Sequence, residues 1–186
     1  MMSADKMAVP RERAEAEVAL AVERVALLHL AYAEMLVDVF GEVRGRELTV
    51  KAIRRYGEKI AARARQGAQA QGLPLEPEHY GAGGSNWPSI GAADEVEQNE
   101  VDGETRTCIR GCGLAKTWHE QGNESLGRLY CLVDAAKMMA YNPAYKVIHL
   151  QAEPDGDERC ELVLRETTPQ EREDFAQDRD WSYLDL

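Results

Sequence analysis

The chain has 186 residues, 33 of them acidic and 22 basic, for a formal net charge of -11 at pH 7. That length suits one domain with a sizeable core, and the acidic balance with scattered Lys and Arg argues against nucleic acid as a partner. The longest apolar stretch, around Val25 to Leu30, is too short to cross a bilayer, and Met1 to Val9 lacks the apolar core of a secretory signal. A cytoplasmic protein with a small-molecule substrate, and no nucleic acid or membrane partner, is therefore expected.

Residues 1–9 read as a disordered N-terminus and 10–168 as a single α+β domain. From Pro10 to about Val43, apolar residues recur at Val18, Val22, Val25, Leu28, Tyr32, Met35 and Val39, steps of three and four that mark one face of a helix. Pro10 suits its first turn. A second helix is expected over about Leu48 to Ala68, with Ile53, Tyr56, Ile60 and Ala64 inward and Arg54, Arg55, Lys59, Arg63 and Arg65 outward. The two form a helical hairpin over 10–70, and the long apolar helix makes a homodimer conceivable. Residues 72–94 carry Pro74, Pro77, Pro88 and the run Gly81 to Ser85, and form a loop. Tyr80 and Trp87 would let it dock as a lid.

A sheet–helix–helix–sheet core is expected over 95–168. Asp102-Gly103 and Asp155-Gly156 favour tight turns, which pairs Glu95–Glu100 with Thr105–Arg110, and Tyr145–Ala152 with Glu158–Glu166. The sheet is then mostly antiparallel, with four or five strands. Between the hairpins a helix runs from about Gly113 to Gln121 and ends at Gly122. Another starts at Asn123 as N-cap, continues to about Ala140, and stops before Asn142-Pro143. An acidic tail, 169–186, spaces Phe175, Trp181, Tyr183 and Leu184 so that it could pack on the domain or on a second subunit.

Four cysteines in a cytosolic chain read as thiols, metal ligands or nucleophiles rather than as a disulfide framework. Cys112 stands at a helix start, where unpaired amides and the helix dipole favour a thiolate. At about 100° per residue, Gly127, Cys131, Asp134 and Met138 share one strip of the following helix, beside the stripe Leu126, Leu129, Val133 and Lys137. An acid three residues from a thiol can orient a base or a water; a small buried Cys and a solvated Asp would look the same. Gly127 leaves room for a ligand near the backbone. Cys160 alternates with Leu162 and Leu164 and should face the interior. The cysteine spacings lack paired C-x-x-C knuckles, so no cofactor is assigned, although zinc or another divalent metal fits a converging set. Cys108 reads as a plain strand residue or as the partner of Cys112 in a redox pair. Among the histidines His119 is best placed for proton transfer, His29 reads as core, and His79 and His149 carry no clear signal.

The ordered set Cys112-Gly113-Leu114-Ala115-Lys116-Thr117-Trp118-His119-Glu120, Leu126-Gly127-Arg128-Leu129-Tyr130-Cys131 with Asp134, Tyr141-Asn142-Pro143, and Gly156-Asp157 with Cys160 resembles the L-2-amino-thiazoline-4-carboxylic acid hydrolase family. Its pattern is also similar to that of four-vinyl-reductase-like small-molecule-binding domains, which are α+β modules. The chain departs from the family at Gly113, where proline is usual, and at His119, where lysine is usual. The resemblance implies a bacterial, cytosolic hydrolase acting on carbon–nitrogen bonds of a small cyclic amidine such as 2-amino-thiazoline-4-carboxylate, by cysteine-dependent ring opening. Cys131 or Cys112 would attack, Asp134 would orient the base or water, and Glu120 would move protons. Trp118, Gly127, Asn142 and Cys160 would shape the pocket. The alternatives are a non-catalytic small-molecule or zinc-binding sensory module of the same fold, or an accessory subunit that docks through its tail.

Overall fold

Two helices of unusual length for a chain this size open the fold. A computed structural model describes residues 9–84 and 90–185; the expected disordered N-terminus, but for Val9, and Trp87 lie outside the described residues. Helix α1 (Arg11–Phe40) and helix α2 (Glu42–Ala70) meet at Gly41, whose φ of 79° turns the chain back at once, so α2 starts earlier than its apolar pattern suggests. The inward face of α1 also differs from the stripe of large residues. Val22, Ala26, His29, Leu30 and Ala33 are buried, while Leu28, Tyr32, Met35 and Val39 are exposed. Small alanines let α1 approach its neighbours closely, and that close contact outweighs the larger but unpartnered apolar side chains.

Beyond a short 3-10 turn (Pro77–Gly83), which lays Tyr80 edge-on against Tyr141, strands β1 (Glu95–Val101) and β2 (Glu104–Arg110) form a hairpin. Asp102 and Gly103 both take positive φ, 53° and 82°, as a two-residue turn matched to strand twist demands. Strands β3 (Tyr145–Gln151) and β4 (Cys160–Glu166) complete an antiparallel sheet in the order β1-β2-β4-β3. Asp155-Gly156 does not make a two-residue turn. It ends a 3-10 turn (Glu153–Asp155), with Gly156 as its left-handed cap, in a wider connection.

Helix α3 (Gly113–Glu120) follows β2 as expected, but the second expected helix is not continuous. It is a short α4 (Glu124–Gly127), a 3-10 turn (Arg128–Leu132) and α5 (Val133–Tyr141). The tightening begins next to Gly127, the residue of weakest helix propensity in the stretch and the one on which the fully buried Trp118 ring rests. Nor does Asn123 cap α4 with its side chain, which instead donates to Glu34 at 3.0 Å.

The tail packs on the domain. Helix α6 (Pro169–Ala176) opens with a capping box between Thr168 and Glu171, and Phe175, Trp181 and Leu184 join the main core with Leu30, Ile53 and Trp118. Arg54, expected to face outward, is buried. Its guanidinium lies 4.1 Å from the Phe175 ring centre, donates to the Phe175 carbonyl and pairs with Asp178. A helical period computed on α2 alone cannot register a partner that returns from residue 175.

A methyl group on Gly127 would sit 2.3 Å from Cγ and Cδ2 of Trp118. Gly127→Ala should therefore cost about 1–3 kcal/mol, read as a lowered midpoint in chemical denaturation. An unchanged midpoint would mean that the ring is free to shift.

Candidate functional site

The turn between β2 and α3 is fixed from two sides. The Glu153 carboxylate accepts the amides of Gly111 at 2.7 Å and Cys112 at 3.1 Å, and the amide of Gly113 donates to the Ala92 carbonyl at 2.9 Å. Proline at position 113 could not make the second bond. These contacts set Cys112 at the first turn of α3. The 3-10 turn places Cys131, the first two turns of α5 place Asp134 and Lys137, and β4 begins with Cys160, whose sulfur accepts the Glu153 amide at 3.4 Å. On β3, His149 lies opposite Leu162.

These side chains meet. A cavity of about 320 Å³ is lined by Cys112, Cys131 and Cys160, by Asp134, Lys137 and His149, and otherwise mostly by apolar groups. Val22 of α1, Tyr56 and Ile60 of α2, Ala92 and Ala93 before β1, and Ile109 of β2 complete its walls. The space suits a small ring compound with one polar edge.

The polar edge is a chain of hydrogen bonds and ion pairs. Lys137 Nζ bonds Asp134 Oδ1, and Asp134 Oδ2 lies 3.5 Å from Nε2 of His149. On its other side the His149 ring presents Nδ1 to Asp185 Oδ1 at 2.6 Å. Asp185 Oδ2 then pairs with Arg128 at 2.7 Å, and Arg128 with Asp155 at 2.9 Å. Burial works against the charge on Asp134, but the Lys137 ammonium, foremost among its neighbours, outweighs it and holds the carboxyl below the usual aspartate range. Burial likewise opposes the Lys137 ammonium, and Asp134 more than compensates, so lysine stays charged.

The thiols behave oppositely. Burial pushes Cys160 up to about 12 and Cys131 well above an ordinary thiol, with Arg128 pulling against it at Cys131. Cys112 is raised too, chiefly by burial, while the amides of Ala115 and Leu114 at the start of α3 oppose the rise. All three are free thiols.

The other residues singled out by sequence lie elsewhere. Trp118 is in the core with its indole nitrogen donating to the Ala26 carbonyl at 3.3 Å, and the room beside Gly127 is filled by that ring. Glu120 is exposed on α3. Asn142 ties the chain end of α5 to Leu75, donating to its carbonyl at 2.8 Å. His119 is on the surface, 2.7 Å from Glu124; His79 meets the Pro74 carbonyl; and His29 is buried against Leu126, Trp118 and Tyr130. Cys108 points to the opposite face of the sheet, beside Asn99. Among the described residues, no group of three or more His, Cys, Asp or Glu side chains is arranged to hold a metal ion. Lys137 and His149 are the cavity groups that sequence reasoning passed over. The i, i+3 spacing of Asp134 and Lys137 was the available signal for the first.

The family model described as L-2-amino-thiazoline-4-carboxylic acid hydrolase matches residues 10–164. No curated protein and no solved structure matches the chain significantly.

The raised thiols carry a sign. Above pH ~8.5, where an ordinary thiol ionises, the unfolded chain releases protons that the folded chain retains, so stability falls as pH climbs from there toward 12. Alkylation of the native protein at pH 7.5 should be slow at Cys131 and Cys160, faster at Cys112, and fast at all three in denaturant. Peptide mapping after timed iodoacetamide labelling checks this. Equal rates in native and denatured protein would contradict the buried placement.

Proposed function

The chain belongs to the L-2-amino-thiazoline-4-carboxylic acid hydrolase family, and from that premise we propose that it opens a small cyclic amidine by adding water at the amidine carbon. The observation that carries this reading is the convergence of three thiols with Asp134, Lys137 and His149 on one cavity of ring-compound size. Cys112 is the nucleophile, because it alone has the opening amides of a helix working to favour its thiolate.

A cyclic amidine binds as a cation, and a cation beside a desolvated thiol lowers the cost of ionising it. The proton passes to the pair formed by Asp134 and His149. The Cys112 thiolate adds to the amidine carbon, and a carbon–sulfur bond to the enzyme forms as the bond to the ring sulfur breaks. The departing sulfur leaves as a thiol, taking a proton. Water then adds to the same carbon and displaces Cys112, leaving a carbonyl flanked by both original nitrogens. For 2-amino-thiazoline-4-carboxylate the product is N-carbamoyl-cysteine, heavier than the substrate by one water. The bond that opens the ring is thus carbon–sulfur, and both carbon–nitrogen bonds survive. Lys137, the one cation among the lining residues, is the group beside which the carboxylate of such a substrate would rest.

A second reading has its own support. No cavity thiol is held as a thiolate at rest, which suits a module that binds an amphipathic ring without turning it over.

Incubation with 2-amino-thiazoline-4-carboxylate and related amidines, followed by mass spectrometry, separates the two. Wild type should give a product heavier by one water. Cys112→Ser should lose at least ~10³-fold in kcat with little change in melting temperature, and Asp134→Asn roughly 10²-fold or more. Ligand-dependent stabilisation with no product from wild type would favour the binding module. Full activity in Cys112→Ser, with loss in Cys131→Ser, would move the nucleophile to Cys131.

A further inference from the structure

The matched family span ends at residue 164, yet the polar edge of the cavity is completed from the tail beyond it. Asp185 is 1% exposed, the most deeply buried carboxylate in the described chain, and three donors surround it. Its Oδ1 receives His149 Nδ1 at 2.6 Å and the His149 main-chain amide at 3.2 Å, and its Oδ2 receives Arg128 at 2.7 Å. A carboxylate only accepts, so Nδ1 must carry a proton where it faces Asp185. The other ring nitrogen, Nε2, then faces Asp134 Oδ2 at 3.5 Å, on the wall of the cavity that the thiols also line.

We infer that Asp185 is a positioning residue of this site: it fixes the orientation and tautomer of His149 so that Nε2 serves the cavity. The inference rests on the reading of the cavity as the active site. Several features hold the tail that delivers it. The Thr168 and Glu171 capping box starts α6, Phe175 and Trp181 stack edge to face at 5.8 Å, Arg54 covers Phe175, and Leu184 is fully buried. Leu184 precedes Asp185 and anchors the chain just before it reaches His149. The carboxylate is therefore held by packing of the whole segment and not only by its own ion pair. Asp185 touches neither substrate nor thiol; it acts through His149, as the orienting carboxylate of a nucleophile–base pair does.

The test uses full-length, uniformly 15N-labelled protein and two readouts. Long-range 1H–15N spectra should show His149 of the wild type protonated at Nδ1. Asp185→Asn, whose amide can donate to Nδ1, should move the proton to Nε2. With 2-amino-thiazoline-4-carboxylate its kcat should fall roughly 10²-fold while KM stays within about threefold. Asp185→Ser removes the carboxylate with a smaller side chain, serves if the asparagine variant folds poorly, and should lose kcat likewise. An unprotonated Nδ1 in the wild type would overturn the inference whatever the variants do. So would a folded variant with wild-type kcat and an unchanged tautomer, which would leave Asp185 as a tail anchor alone. If wild type turns over no amidine, the hydrolase reading fails, and the spectra still decide whether Asp185 sets the tautomer.

Discussion

Charge buried in and behind an apolar cavity must be neutralised where it stands, and the pairing of Asp134 with Lys137 at the wall and of Asp185 with Arg128 behind it, bridged by His149, is how this fold meets that constraint. The partners come from four places: α5 supplies Asp134 and Lys137, the 3-10 turn Arg128, β3 His149, and the tail Asp185. Removing one member leaves an uncompensated charge, which costs far more than the intact chain of pairs contributes. The four elements are therefore coupled by a shared need for neutrality as well as by packing.

The same burial divides the cavity groups into two kinds. The carboxylate of Asp134 stays charged because cations surround it, whereas the thiols, with fewer cations and more apolar neighbours, stay protonated. A site built this way is inert until something cationic enters. Chemistry that depends on a thiolate would then be triggered by the ligand, and the resting protein would be protected from oxidation and adventitious alkylation, both of which follow thiolate character.

Much of this was readable in the residues. The Asp102-Gly103 hairpin follows from a turn that needs two positive φ values, and Cys112 at a helix start and Cys160 on the inward side of its strand follow from local pattern, whereas the continuous helix strip that joined Cys131 to Asp134 is broken by the 3-10 turn. What escaped depends on contacts between distant segments. Trp118 and Gly127 each suggest a pocket when taken singly, but the ring of one fills the space beside the other. His149 gains meaning only from strand register and from a carboxylate thirty-six positions away. Arg54 is buried by an aromatic ring that local periodicity cannot see. On α1, the largest apolar side chains lie outside and the alanines inside, because helices that pack closely select for small residues rather than for hydropathy.

The placement of the tail has a consequence for how the site is shared among related chains. Arg128 sits within the family-matched span, largely buried, and its charge is met only in part by Asp155, half-exposed on a turn. Asp185 meets the rest from outside that span. A relative that keeps the arginine but lacks a returning tail must either expose it to water or neutralise it from another element, because an unpaired guanidinium at that depth is costly. The pairing of an arginine in the 3-10 turn with a carboxylate beyond β4 is thus a physical constraint linking two parts of the chain that a match over the helices and sheet alone does not connect.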